Sequence, residues 1–146
     1  MKNRRGVTLA LMGAVYPILN VPTLTAVGTG GLHHGQAPQK TPMPYVVLQA
    51  PSARPDLQSM GNPGERVTFQ VRGVSNAPDY AVALQLIELV KQLLDGEQPT
   101  IANHQVLGIW WDPDFGTQVY PDPEMVNGVP VWNAISRWYA LVDQVS

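Results

Sequence analysis

The sequence predicts an α+β fold: a mostly antiparallel four-stranded sheet with one long helix packed across a face, an N-terminal helix, long loops and a projecting β-hairpin. Three observations carry this reading. Arg66 to Val74 (RVTFQVRGV) alternates strictly, with Val67, Phe69 and Val71 on one side and Thr68, Gln70 and Arg72 on the other, the period of a half-buried strand. Between Asn76 and Gly96 runs a stripe of Tyr80, Leu84, Ile87, Val90, Leu93 and Leu94 at helical spacing, with a capping residue before it and a C′ glycine after it. The 14 prolines and 13 glycines cluster between such periodic segments, so the chain is folded with punctuated loops.

In chain order, Lys2, Arg4 and Arg5 precede an apolar run from Val7 to Leu19. That start resembles a secretory signal, but Gly13 and Pro17 break the run and no small-x-small cleavage site follows. The better reading is an amphipathic helix over residues 4 to 16, with Leu9, Met12 and Tyr16 on one face and Val15 beside them, stopped or interrupted at Pro17. Residues 17 to 44 read as a long loop holding one helical turn near Pro22 to Val27. Tyr45 to Gln49 is the first strand, residues 50 to 65 a second loop, and Arg66 to Val74 the second strand. After the helix, which runs from Ala77 to Leu94, come strands at His104–Trp111 and Val131–Val142. Asn127-Gly128 between them has the composition of a type I′ turn, so a small ribbon from Thr117 to Pro130 is expected to project from the sheet. Phe69, Val71, Tyr80, Leu84, Ile87, Val90 and Leu94 are the candidate core.

Composition narrows the functional classes. The 146 residues carry a formal charge of -2, which argues against binding nucleic acid over the whole surface, and there is no cysteine for disulfides or thiolate chemistry. Gly28-Thr29-Gly30-Gly31 lacks the Gly-Lys-Ser/Thr ending of a phosphate loop. His33 and His34 are adjacent in a Gly-rich stretch and suit a transition metal, but further ligands would have to come from His104 or Asp56, far away in the chain. Asp112, Asp114, Asp122 and Glu124 could bind a cation or do acid–base work. They flank Pro113 and Pro123, which is ordinary turn composition, and no nucleophile elbow accompanies them. No catalytic, metal or cofactor residue is therefore assigned.

The four tryptophans say more. Trp110 and Trp111 are adjacent in a strand and face opposite ways, while Trp132 and Trp138 share a parity. One sheet face cannot hide all four, so Trp110, Trp111, Trp132 and Trp138, with Tyr120, Asn127 and Gly128 of the ribbon, are candidate interface residues.

Taken together, Val21-Pro22-Thr23-Leu24-Thr25-Ala26-Val27, Gly35-Gln36-Ala37-Pro38-Gln39, Pro42-Met43-Pro44-Tyr45-Val46-Val47-Leu48, and the strand running into Asn76-Ala77-Pro78-Asp79-Tyr80-Ala81 resemble the tail-completion or tail-terminator family of long-tailed bacteriophages. The resemblance implies a single tail-terminator-like domain over residues 1–146. It also implies a structural virion protein and not an enzyme, one that forms a hexameric ring, caps the tail tube and joins it to the head. Implied partners are further copies of the chain, the tail tube protein and head-completion or connector proteins. No membrane and no sequence-specific nucleic acid is implied, only passive contact with DNA in the lumen, and no cofactor. The implied location is the tail–neck region of the virion, after assembly in the host cytoplasm. The rival readings are a head-side connector or stopper, a small metal-dependent enzyme built on His33, His34, His104 and the Asp112–Asp114 pair, and a binding module acting as monomer or dimer.

Overall fold

The computed structural model describes residues 7–56, 64–122 and 129–144. Lys2, Arg4, Arg5, Glu124, Asn127 and Gly128 lie outside them. The elements run α1 (Val7–Leu19), α2 (Pro22–Thr25), β1 (Leu32–His34), β2 (Tyr45–Asp56), β3 (Gly64–Ser75), α3 (Ala81–Leu94), β4 (Thr100–Ile101), β5 (His104–Trp111), β6 (Thr117–Pro121) and β7 (Trp132–Gln144). They form one seven-stranded sheet in the order β1-β2-β3-β7-β5-β4, with β6 also paired to β7.

This corrects the expected four-stranded, mostly antiparallel sheet with one long helix. The sheet is mixed, because β1 pairs with β2 in parallel (Leu32↔Val46, His34↔Leu48). Two helices of similar length, 13 and 14 residues, pack in the core. The expected loop over residues 17–44 contains β1, bounded by Gly31 (φ 92°) and Gly35 (φ 73°), a backbone region L residues rarely enter. These turns let Val46 N–H donate to Gly31 O (3.0 Å) and Gly35 N–H to Leu48 O (2.6 Å).

The expected loop over residues 50–65 is largely strand at both ends. Pro51 and Pro55 suggested otherwise, since proline breaks a central ladder. Here the pairing of β2 with β3 shifts register between Gln49 and Ser52, so Pro51 falls within a bulge. Beyond Leu48, β2 is flanked by β3 alone among the described residues, so Pro55 sits on an edge. The expected projecting ribbon is also corrected. β5 pairs with β7 from His104↔Gln144 to Trp111↔Trp138, and β6 continues along the same side of β7 from Thr117↔Ser136 to Pro121↔Trp132. β5 and β6 are thus one interrupted strand, with Asp112–Gly116 as an excursion between them.

All three helices contribute to a core on one sheet face. From α3 come Ala83, Leu86, Ile87, Val90 and Leu94, and from the strands Val46, Leu48, Val67, Phe69, Val71, Ile109, Ala134, Trp138, Ala140 and Val142. α1 contributes Val7, Leu11, Met12, Val15 and Leu19, an i, i+4 face rotated away from the expected one, and Leu9 is 78% exposed. The run is apolar on nearly every side, so spacing alone did not single out the buried stripe. Pro17 lies inside the helix without ending it, on the exposed side with Gly13 one turn before it.

α3 starts at Ala81, later than expected. The segment before it is a turn in which Ser75 Oγ accepts from Ala77 N–H (3.1 Å) and Asp79 Oδ1 from Ala81 N–H (2.9 Å). That turn leaves Tyr80 49% exposed, so it is not a core residue, and Leu84 is half-buried. α3 crosses β3 at Gly73, where an added Cβ would come within 3.0 Å of both Ala83 O and Leu86 Cβ.

Ile87→Ala removes a fully buried side chain and should destabilise by about 2–5 kcal/mol, against less for half-buried Leu84→Ala. Gly73→Val should destabilise as well, because backbone meets the new side chain and cannot give way. Urea unfolding of the three variants against wild type checks the order, and equal midpoints for Ile87→Ala and wild type would refute this placement of α3.

Candidate functional site

The sheet face opposite the helices holds the chain's unusual chemistry. Strand register places Arg54 opposite Arg66 on β2 and β3, Gln49 opposite Gln70, and Gln70 opposite Arg137 on β7. Arg72 lies on the same face between Val47 and Ile135. Six arginines occur in the sequence, and all four among the described residues stand on this one face. Ser52, Arg54, Arg66, Thr68, Gln70 and Arg137 line a trough of ≈ 440 Å³ in it.

Aromatic rings hold two of the guanidinium groups. Arg66 lies over Tyr139 and Arg137 over Phe115, each 4.3 Å from the ring centre. Burial leaves Arg72 Nε without a hydrogen-bond partner. None of the four makes an ion pair among the described residues, where the one pair is the surface contact Lys91–Glu88 (3.4 Å). Arg54 opposite Arg66 is a like-charge cross-strand pair, an arrangement that costs stability.

The far edge of the sheet has the opposite sign. Asp95–Gln98 runs beside β5: Gly96 N–H donates to Ile109 O (2.7 Å), Ile109 N–H to Glu97 O (3.0 Å), and Trp111 N–H to Asp95 Oδ1 (3.1 Å). Asp95 and Glu97 are exposed there. Asp112 is part of the excursion's own scaffold, its Oδ1 accepting from Asp114 N–H (3.0 Å) and Phe115 N–H (3.4 Å). Asp122 N–H closes onto Val131 O (2.6 Å).

The histidines do not meet. His33 Nε2 is 2.8 Å from Gly30 O and its ring stands edge-on to Tyr45, while His34 stacks on Tyr16 at 4.9 Å. Both lie on β1; His104 lies on β5, with Nδ1 3.0 Å from Ala102 O, across the sheet. No group of three His, Asp or Glu side chains converges among the described residues. No helix among them is long and apolar enough to cross a membrane.

The tryptophans divide by depth. Trp138, expected at an interface, is fully buried: its Nε1–H donates to Ser136 Oγ (2.8 Å), which donates to Val71 O (3.3 Å). Trp110 faces outward against Tyr139 (5.6 Å), over Gly108, where a Cβ would fall within 2.3 Å of the indole. Trp111 is half-buried under Lys91 Nζ (3.9 Å), and Trp132 meets Tyr80 edge-on at 5.7 Å. Tyr120, on β6, is 38% exposed. The arginine cluster was not among the residues singled out from the sequence. Its signal, basic residues on one parity of separate strands, needs the register to be seen.

Comparison with known proteins now bears on what such a surface is for. The family model for tail completion protein gp17 matches residues 14–124. The chain belongs to this family. Membership makes it a phage tail structural protein, in agreement with the resemblance read from its sequence. No curated protein matches by sequence. Among solved structures, a chain from the virion of a native gene transfer agent particle superposes with a TM-score of 0.77 at 19% identity, covering 95% of this chain and 98% of that one. At that identity the likeness is one of fold.

Ser136→Ala would leave the buried Trp138 indole N–H without an acceptor and should cost about 1–3 kcal/mol. Equilibrium unfolding followed by tryptophan fluorescence measures it. Unchanged stability would mean that the indole finds another partner.

Proposed function

We propose that this chain acts in the virion as a ring-forming tail terminator: copies close into a ring, cap the tail tube and join it to the head. Membership of the tail-completion family over residues 14–124 carries the reading. The fold shared with a chain of a gene transfer agent virion supports it. So does the asymmetry of the subunit. Closed rings use heterologous contacts, in which one surface meets a different surface of the next copy. This subunit has a basic face open at the β2 edge and an acidic segment beyond β5. Half-buried Trp111 and Trp132, with exposed Tyr120, add aromatic surface of the kind enriched at contacts. The side chains proposed here as functional bind neighbours and do no bond-making chemistry, and residues 1–146 act as one domain.

Imaging of the native particle tests this directly. The expected result is a closed ring of this chain, sixfold, between the tail tube and the head. A ring seated on the portal side would make the chain a connector or stopper, and particles with no ring of this chain would overturn the proposal.

A further inference from the structure

We propose that the arginine trough on the outer sheet face receives the acidic edge, Asp95 and Glu97, of a second copy of this chain, so that each ring contact is a charge-complementary, head-to-tail one. The inference rests on the ring reading above and names the surfaces that would make it.

Four observations lead to it. Arg54 and Arg66 stand directly opposite one another and no ion pair of either is seen among the described side chains, while Asp56 and Asp143 share this face only at its Gly64 end; an incoming anionic group would relieve the repulsion. The trough lies at an accessible edge, because β1 covers β2 only from Val46 to Leu48 and Arg54 lies beyond it. Glu97 is exposed and its carboxylate makes no hydrogen bond or ion pair among the described residues, and Asp95 places one oxygen on Trp111 N–H. Strand order then separates the two charge sets. The sheet places β3, β7 and β5 between β2 and the Asp95–Gln98 segment, so at about 4.8 Å per step Arg54 on β2 lies about 19 Å from that segment.

That separation exceeds the screening length of about 8 Å at physiological salt, so a subunit cannot neutralise Arg54 with these acids. A neighbour can. With a net charge of -2 and its described arginines gathered on one face, the rest of the chain is acidic overall. A second copy therefore presents the anionic surface that the trough lacks. Opposite signs on separate surfaces suit the head-to-tail arrangement from which rings close.

The test uses charge reversal in assembling particles, with ring presence scored by imaging. Arg54→Glu and Glu97→Lys change exposed side chains with no ion-pair partner among the described residues, so each variant should fold, as thermal unfolding will show. Each reversal alone should lower ring incorporation at least tenfold. The double variant Arg54→Glu/Glu97→Lys, whose two surfaces are complementary again, should restore it. Rings in normal number with both single variants, or a double variant no better than the singles, would overturn this contact while leaving the ring reading intact. Absence of a ring in wild-type particles would instead remove the ring reading itself. Binding of a duplex oligonucleotide at low salt, measured by fluorescence anisotropy, covers the other anionic occupant. If Arg54→Glu abolishes that binding and leaves the ring unchanged, the trough serves nucleic-acid phosphates and the inference is wrong.

Discussion

The structure depends on the pairing of β7 along both of its sides. β3 matches it from Gly64↔Asp143 to Ser75↔Trp132, and β5 and β6 in succession match its other edge. A strand so placed must be free of proline and must suit two environments at once. Trp132 to Gln144 contains neither proline nor glycine and alternates Ala134, Ser136, Trp138, Ala140 and Val142 inward with Ile135, Arg137, Tyr139 and Leu141 outward. The small inward neighbours make room for Trp138, which stands opposite Phe69 at the centre of the core. Burying that indole requires an acceptor, and Ser136 supplies it two residues back on the same strand face, passing the bond on to Val71 O of β3. The same pleat that places Trp138 inward turns Arg137 outward, so the core and the basic face are consequences of a single register.

With the helices taking one side of the sheet, the other side is left for contact. Its middle is polar, two of its four guanidinium groups rest on aromatic rings, and none is seen in an ion pair among the described side chains. A protein built only for solubility would intersperse both signs. Here the net charge of -2 conceals an uneven spread, with the four described arginines on one face and exposed Asp95 and Glu97 beyond β5. The like-charge pair Arg54–Arg66 costs the monomer a little stability, and a face of one sign suits the contacts proposed here for a tail-completion protein.

Legibility in the sequence followed locality. The alternation of β3 and the stripe of α3 could be read directly, because each records one buried face over consecutive residues. β1 could not, since three residues become a strand only through a partner fourteen positions on, Leu32 with Val46. The Asp-Pro-Asp sequence at 112–114 has turn composition, yet here the turn interrupts a strand that then resumes on the same partner. Trp132 and Trp138 share a parity and differ in depth, because the helices cover the middle of β7 and not its start. The arginine face was hidden for the same reason as β1: Arg54, Arg66, Arg72 and Arg137 are spread over 84 positions, and only the sheet gathers them.

Beyond Leu48 the outer edge of β2 is unpaired among the described residues, which raises the question of what keeps it from adding strands. Unpaired backbone groups on an edge will accept almost any extended chain, and a flat edge from Ser52 to Asp56 would invite indefinite strand addition. The β2 edge is not flat. A register shift between Gln49 and Ser52 bends it, Pro51 and Pro55 each remove a donor, and Arg54 adds a charge between them. These devices deny the edge a continuous ladder of backbone hydrogen bonds. What that edge offers instead is side chains, Arg54 among them. The prolines that obscured this strand in the sequence are therefore part of what keeps its edge from adding strands.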